Sequence, residues 1–474
     1  MESAKKEIQA LKEDTGSMPL KNKIITVICE KIVFPGRSLC RCDDGIALFT
    51  EGLLPEDHAD VLVIREKKSF REGLVKQITF KSSKRTSPLC PSFGLCGGCS
   101  FQNTSYTNQI KYKQEYVSEL LGFTGIKISK ILISPNTWFY RNKMDFSFFS
   151  SSDVLVEDNF KTGLGLHCRG RFNKYISVPP CFIADKDFLR VTEIVKKFAN
   201  KNNIPAYNNK THEGFFRHLV LRKAGNNNQL LINIVTNNAD QWQLFLETLA
   251  KELADFTDSI YWTINSRKSD AVVSDKTTLI YGKQYITEKL SVGRKDYFFN
   301  ISPLSFFQTN SKGTEVLYNE VLRLLNPSKE DVLLDLYCGT GTIGISMAHN
   351  VKKVVGIEQS EKSIENAKEN AVVNNVFNAE FYAMTAEQWI NQNSSIFDVI
   401  VVDPPRSGLT KNVVNFLVNS TAKKIVYVSC NPSTLARDLQ IVIRENIYNV
   451  KKIIPIDMFP QTHHVEVVVL LELK

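Results

Sequence analysis

"DLYCGTGTIG", residues 335–344, decides how the C-terminal part of this 474-residue chain is read. Gly339, Gly341 and Gly344 stand in G-x-G-x-x-G spacing, directly after an apolar strand signal and at the opening of a helix. Glu358 closes the next strand signal, "KKVVGIE", near the spacing expected of a carboxylate that accepts both ribose hydroxyls. Glycines here let the backbone approach a ligand. With strand, helix and acid all in place, a tight turn alone does not account for them. By itself the pattern fits a nicotinamide cofactor or S-adenosylmethionine.

Further along, "DVLLDLYC", "KKVVGIE", "AEFYA", "FDVIVVD", "KIVYVS" and "KKIIPID" are separated by helical or loop segments, "EQSEKSIENAKENAVVNN" being a clear amphipathic helix. Near-continuous apolar strands of this kind belong to a buried parallel sheet. Residues 298–474 are therefore expected to form a Rossmann-like α/β domain. Such sheets bind ligands outside the carboxyl ends of their strands. Tyr337, Glu358, Asp403 and Cys430 all fall at such ends. Asp403 opens the turn "DPPRSG" and Cys430 sits in "SCNP". A hydride-transfer enzyme needs neither turn, whereas a methyltransferase using a thiol can employ both.

Cys430 is either a packed thiol at a strand end or a nucleophile held at the rim of the sheet. "DMFPQTHHVEVVVLLEL" (457–473) bears on the choice. A strand ending near Asp457 should reach the ligand edge, turn through Pro460 and return. An antiparallel return would start Glu466 beside Cys430. His463 and His464, adjacent on a strand, are expected to point apart, and no third ligand has metal spacing. A thiol, a carboxylate and a sulfonium cofactor imply one chemistry. Carbon 5 of uracil is a poor nucleophile until a thiolate adds to carbon 6 and makes an enolate. A base must then take the carbon 5 proton so that the thiol can leave. A free thiol titrates near about 8.5, so Cys430 needs local help to ionise, and the target base must leave its stack.

The length allows about three domains. Hydrophobic residues at 43% and charged residues at 23% are ordinary for a globular protein, and no apolar run is long enough to cross a membrane. "MESAKKEIQALKEDTGS" mixes acids and lysines without an apolar core, so residues 1–20 read as a solvated leader rather than a secretory or transit signal. Ten cysteines, too few and irregular for a secreted disulfide scaffold, place the chain in a reducing compartment, the cytoplasm. Residues 21–82 read as short strands with turns, a small barrel of the OB type. Cys40 and Cys42, two apart on one strand, are expected to pack inside it. The net charge is +9, and 65–88 sets eight Lys/Arg against two Glu, either a solvated face or a polyanion footprint. Residues 83–297 hold a cysteine cluster and mixed strands and helices. Aromatic and basic residues interleave at 138–149 and 215–223, as buried Phe with outward Arg or as an RNA-facing surface.

"DLYCGTG", "DPPRSG", "SCNPSTLARDL" and "MFPQTHHVE", in that order, resemble the RNA uracil-5-methyltransferases, and the likeness runs through nearly the whole chain. The N-terminal barrel, with "DDGIALFTEGLLPED", looks like a TRAM domain. "CPSFGLCGGCSFQNTSYTNQIKYKQ" (90–114) is similar to the motif of the iron–sulfur members that modify large-subunit ribosomal RNA. The resemblance implies Cys430 as nucleophile and Glu466 as base. Gln308, Tyr337, Glu358 and Asp403 match positions that bind cofactor or line the pocket. Thr342 stands where many members carry Asn, and Thr385 aligns with a further cofactor position. The helix after the cluster, about 102–132, would pack on the catalytic domain.

Cys90, Cys96 and Cys99 give C-x5-C-x2-C, and "VPPCFI" supplies Cys181. The resemblance implies a [4Fe-4S] cluster on these four. From spacing alone, structural zinc is a rival. Cys168 is a spare thiol near Cys181, Cys338 belongs to the cofactor loop, and Cys29 to a core. The expected protein is a monomer that methylates carbon 5 of a uridine in RNA, 23S rRNA ahead of tRNA, without a membrane. A non-catalytic RNA-binding or assembly protein is the reading from another class. A nitrogen methyltransferase, suggested by Asp-Pro-Pro, would leave Cys430 unemployed.

Overall fold

A computed structural model describes residues 20–154, 160–177, 180–238, 242–268, 272, 274–393 and 396–474. The leader expected over 1–20 lies outside them, Leu20 excepted. The chain divides into two compact units, Met1–Ser87 with Asn103–Asn108, and Pro88–Gln102 with Gln109–Lys474.

In the first unit, β1 (Ile24–Val33), β2 (Arg37–Arg41), β3 (Ala47–Thr50), β4 (His58–Glu66) and β5 (Phe70–Phe80) close a barrel in the order β1-β2-β3-β5-β4. Val27 and Cys29 on β1, Leu48 on β3, and Val61 and Val63 on β4 are buried, the alternation a strand imposes. Cys29 pairs with Cys40 across β1 and β2, and Cys42 joins the same core. Half of the basic strip is paired with carboxylates, and only Arg71 is fully buried. Buried Arg71 sets its guanidinium on Asp44 at 2.9 and 2.7 Å and on Glu66 at 2.8 Å. Arg85 pairs with buried Asp57, Lys84 with Glu56 and Arg65 with Glu72. Lys67, Lys68, Lys76 and Lys81 stay exposed.

The second unit holds a seven-stranded sheet built from β6 (Lys143–Ser150), β7 (Thr162–Cys168), β8 (Arg171–Ser177), β9 (Phe216–Lys223), β10 (Leu230–Thr236), β11 (Ser259–Ile264) and β12 (Lys276–Gly282), in the order β12-β11-β10-β9-β6-β7-β8. Helices Asp187–Lys201 and Gln243–Leu253 share its core. The two aromatic and basic stretches are neighbours here, Met144 pairing with Leu221 and Phe146 with Leu219. The two arginines of the second stretch do not face outward. Arg217 is buried and donates to the carbonyls of Asn265 and Arg267; Arg222, also buried, donates to those of Pro303 and Ser305. Both satisfy backbone in the interior.

A hairpin, β13 (Ile286–Val292) and β14 (Lys295–Ile301), runs across the expected junction at 298. Its residues Leu290, Tyr297 and Phe299 pack into the core of the sheet that follows, and Asn370 and Asn374 accept from the backbone N–H groups of Asn300 and Phe298 at 2.7 and 2.8 Å. That sheet comprises β15 (Val332–Leu336), β16 (Lys353–Glu358), β17 (Ala379–Ala383), β18 (Val399–Val402), β19 (Lys424–Ser429), β20 (Tyr448–Ile456) and β21 (Glu466–Leu473), in the order β17-β16-β15-β18-β19-β21-β20. Its pairings are parallel except around β21, which runs antiparallel between β19 and β20. Strand order reverses between β15 and β18, the place where such sheets open a ligand crevice. The helix Tyr106–Leu121, from Gln109 on, lies against the turn between β20 and β21, and Leu132 pairs with Ile456 at the edge of β20. Among the described residues no helix is long and apolar enough to cross a membrane.

Candidate active site

β15 leads straight into the glycine loop. Tyr337 takes a left-handed φ of 65°, unusual for a residue with a side chain, and Gly339 and Gly341 follow at 54° and 74°. At Gly341 a Cβ would come within 3.0 Å of the Phe381 ring, so glycine is required twice over. Buried Asp335 accepts from Gly344 N–H at 2.9 Å, which ties the start of helix Thr342–Met347 to the strand. Burial lifts that carboxyl to about 8. Thr342 shares a hydrogen bond of 2.7 Å with buried Tyr318. Glu358, at the end of β16, accepts from Ser360 N–H at 3.0 Å, which sets the rotation of its carboxylate.

Thr385 begins the helix after β17, next to Glu358, whose carbonyl accepts from Met384 N–H at 3.0 Å. Its hydroxyl caps that helix by accepting from Gln388 N–H at 3.1 Å. Gln308 lies in the loop before helix Ser311–Leu325, where its carbonyl accepts from Asn142 at 3.2 Å. The same loop crosses the glycines: Thr340 donates to the Phe306 carbonyl at 3.4 Å, and the Phe306 ring, 63% exposed, lies over Gly339. Sequence reading missed Phe306; an aromatic two residues before Gln308 was the available signal.

The two turns singled out by the sequence lock together. Asn431 donates from its side chain to the Arg406 carbonyl at 2.9 Å and caps helix Pro432–Glu445 by accepting from Ser433 N–H at 3.1 Å. Cys430, half-buried, sits between β19 and that cap. Ser429 pairs with Val467 across antiparallel strands, so one position outward Cys430 meets Glu466, itself paired with Ile456 on the other side. Glu466 is 6% exposed. Burial first, and then Asp403, raises its carboxyl to about 8 against the pull of Arg406. Burial raises Asp403 to about 7. The Cys430 thiol is pushed up to about 12 by burial, then by Glu466 and Asp403, while Arg406 opposes. Arg406 is the cation that steadies negative charge on both groups, a role the spacing of "DPPR" did not reveal.

His463 and His464 differ from expectation. They lie in the turn before β21, where side chains need not alternate, and their rings sit 4.1 Å apart. His463 Nδ1 pairs with Ser100 Oγ at 3.0 Å and His464 Nε2 with Arg406 at 3.4 Å. Burial lowers them to about 4 and about 3, so both rings are neutral at pH 7.

Cys90, Cys96, Cys99 and Cys181 come together around one cavity of about 240 Å³, with Gln102, Arg141 and Phe182 among its walls. Gly98 N–H donates to Cys96 Sγ at 3.4 Å, and Gln102 accepts from Cys90 N–H at 3.0 Å. Burial raises Cys90, Cys96 and Cys99, each further raised by the charge of Cys181. Cys168 bridges Cys96 through backbone and is buried outside the cavity lining. Among the described residues no group of three His, Cys, Asp or Glu side chains is placed to hold a metal ion.

A parallel sheet reversing at β15 and β18, a glycine loop there and an inserted last strand define a methyltransferase fold. The sequence pattern of the tRNA (uracil-5-)-methyltransferase family matches residues 105–474. An uncharacterized RNA methyltransferase of Caldanaerobacter subterraneus subsp. tengcongensis is 40% identical over 458 residues, covering 95% of this chain and 99% of that protein. Another, from Clostridium tetani, is 36% identical and covers 96% and 98%. The crystal structure of Pyrococcus abyssi tRNA (uracil-54, C5)-methyltransferase in complex with S-adenosyl-L-homocysteine is similar at a TM-score of 0.74 and 29% identity, covering 94% of this chain and 100% of that one. The chain belongs to the tRNA (uracil-5-)-methyltransferase family and is an RNA (uracil-5-)-methyltransferase.

Proposed function

We propose that this enzyme methylates carbon 5 of a uridine in 23S rRNA through a covalent adduct between Cys430 and carbon 6 of the base. The observation that carries the reading is the apposition of Cys430 and Glu466 at the same sheet edge as the glycine loop. Cys430 loses its proton through its half-exposed side, with Arg406 steadying the thiolate, and adds to carbon 6. S-adenosylmethionine supplies the methyl group, and Gln308, Tyr337, Thr342, Glu358 and Asp403 would hold it. The Thr385 hydroxyl is engaged by its helix, so any contribution would come through position. Glu466 in its ionised form, a stronger base for its burial, then takes the carbon 5 proton, and the thiol leaves.

The four cavity cysteines would hold a [4Fe-4S] cluster. The donor chemistry suits one: four thiols ring a space of about 240 Å³ and a backbone N–H reaches one sulfur. Bound there, the cluster would tie together the loops that carry Cys90, Cys96, Cys99 and Cys181. We read the barrel as a TRAM domain that binds RNA, with exposed Lys67, Lys68, Lys76 and Lys81 available to phosphates, in a cytoplasmic monomer. The barrel and cysteines favour ribosomal RNA. Methylation of tRNA is the second reading, favoured by the Pyrococcus abyssi tRNA enzyme covering 94% of this chain.

The test is covalent trapping of 5-fluorouridine transcripts of 23S rRNA and of tRNA with S-adenosylmethionine, resolved on denaturing gels. Fluorine at carbon 5 cannot leave as a proton, so wild type should shift one transcript and Cys430→Ala none. Equal trapping by Cys430→Ala would sink the mechanism. A shift of tRNA alone would move the substrate.

A further inference from the structure

Helix Tyr106–Leu121 carries Gln109, Lys113 and Tyr116 at i, i+4 and i+7, one helical face. A face buried against a neighbour is usually apolar, yet these are polar and all are buried. Each grips the turn that leads from β20 into Glu466. Lys113 binds Asp457 at 2.6 Å and the Phe459 carbonyl at 3.1 Å. Tyr116 donates to the His463 carbonyl at 2.5 Å.

Gln109 makes the densest set. It accepts from Gln461 N–H at 2.9 Å, and its amide donates to Gln461 Oε1 at 2.9 Å and to the Phe101 carbonyl at 3.0 Å. Gln461 needs such holding, because it adopts a left-handed φ of 69° without being glycine. Its carbonyl in turn accepts from the N–H groups of Ser100 and Phe101, at 2.9 and 3.0 Å, directly after Cys99.

We propose that Gln109 is the positioning residue of the base: through Gln461 it fixes the turn that sets Glu466 against Cys430, and it joins that turn to the cysteine loop. It touches no reacting atom. The inference rests on the covalent reading of Cys430 and Glu466. It predicts a defect greatest in the last step, since Cys430 lies on another element and, among the described residues, the turn reaches it only through the pairing of His464 with Arg406.

The experiment uses ordinary uridine in a transcript that the full-length wild type methylates, with labelled S-adenosylmethionine and denaturing gels. Wild type releases its product and leaves little adduct. Glu466→Gln should retain methylated adduct, and Gln109→Ala should retain about tenfold more than wild type while methyl transfer in a single turnover stays within about threefold. Gln109→Met keeps the length of the side chain but can neither accept from Gln461 N–H nor donate to Gln461 Oε1, so it should retain adduct as Gln109→Ala does. It also stands in for the alanine variant should that fail to fold. Adduct in Glu466→Gln but none above wild type in folded Gln109 variants overturns the inference. Loss of adduct formation in those variants overturns it too, because Gln109 would then act on the nucleophile or on RNA. No adduct in Glu466→Gln itself overturns the reading of the base instead.

Discussion

Lys113 and Asp457 meet at 2.6 Å, and neither side chain is exposed to water. The ammonium belongs to a helix far upstream and the carboxylate to the end of the sheet's edge strand, 344 positions apart. Lys113→Met removes one partner and leaves a carboxylate buried. The expected cost is about 3–5 kcal/mol in unfolding free energy, read from denaturant midpoints. Asp457→Asn added to it should recover part of that loss. An unchanged midpoint in Lys113→Met would mean that the turn relaxes and lets water reach Asp457.

Glu466 should make stability depend on pH in a definite sense. Its folded value, raised to about 8, lies above the unfolded value of about 4.3. Stability from this group is therefore intact below about pH 4.3 and lost as pH rises through about 8. Glu466→Gln cannot ionise, so it should exceed wild type by roughly 2–4 kcal/mol at pH 8.5 and by little near pH 4.5. Thermal melts across that range check the sign. A constant offset would show that Glu466 is not buried as an acid.

Arg406 opposes the upward push on the Cys430 thiol. Arg406→Ala should shift the pH profile of Cys430 alkylation to higher pH and slow labelling at pH 8. Asp403→Asn should shift it the other way. Iodoacetamide labelling followed by peptide mapping reads both. Identical profiles would remove Arg406 from the electrostatics of the site.

The cysteine cavity predicts selectivity among thiols. Cys181→Ser and Cys99→Ser should lose bound iron and sulfide, whereas Cys168→Ser, outside the cavity lining, should retain them. Metal analysis of anaerobically purified protein decides it. Zinc in stoichiometric amount, with no iron, would contradict the cluster.

The strands were legible because apolar runs ended at glycine, proline or acid, and the pairing of Cys430 with Glu466 followed once the last strand was taken as antiparallel. Other features were hidden for identifiable reasons. Arg217 and Arg222 were expected to point outward, with or without RNA against them, but β9 is buried along nearly its whole length and the guanidiniums serve carbonyls. Periodicity cannot separate an outward arginine from one folded back onto backbone. Hairpin β13–β14 carried no mark of which core it would join. "TAEQ" is a capping-box signature, and Thr385 is spent in that way. The helix after the cysteines was expected to pack on the catalytic domain, but nothing in its sequence marked polar Gln109, Lys113 and Tyr116 as the packed face.

The pairing of Gln109 with Gln461 closes a loop of 352 residues. The glycine loop and its helix, by contrast, draw on neighbours such as Asp335 and Gly344, nine positions apart. Contacts so distant form late, because loop-closure entropy must be met before they reward the chain. The turn at Gln461 would thus lock after the glycine loop has formed. Hydrogen exchange should find the same order in reverse, with the turn at Gln461 opening more readily than β15 and β18.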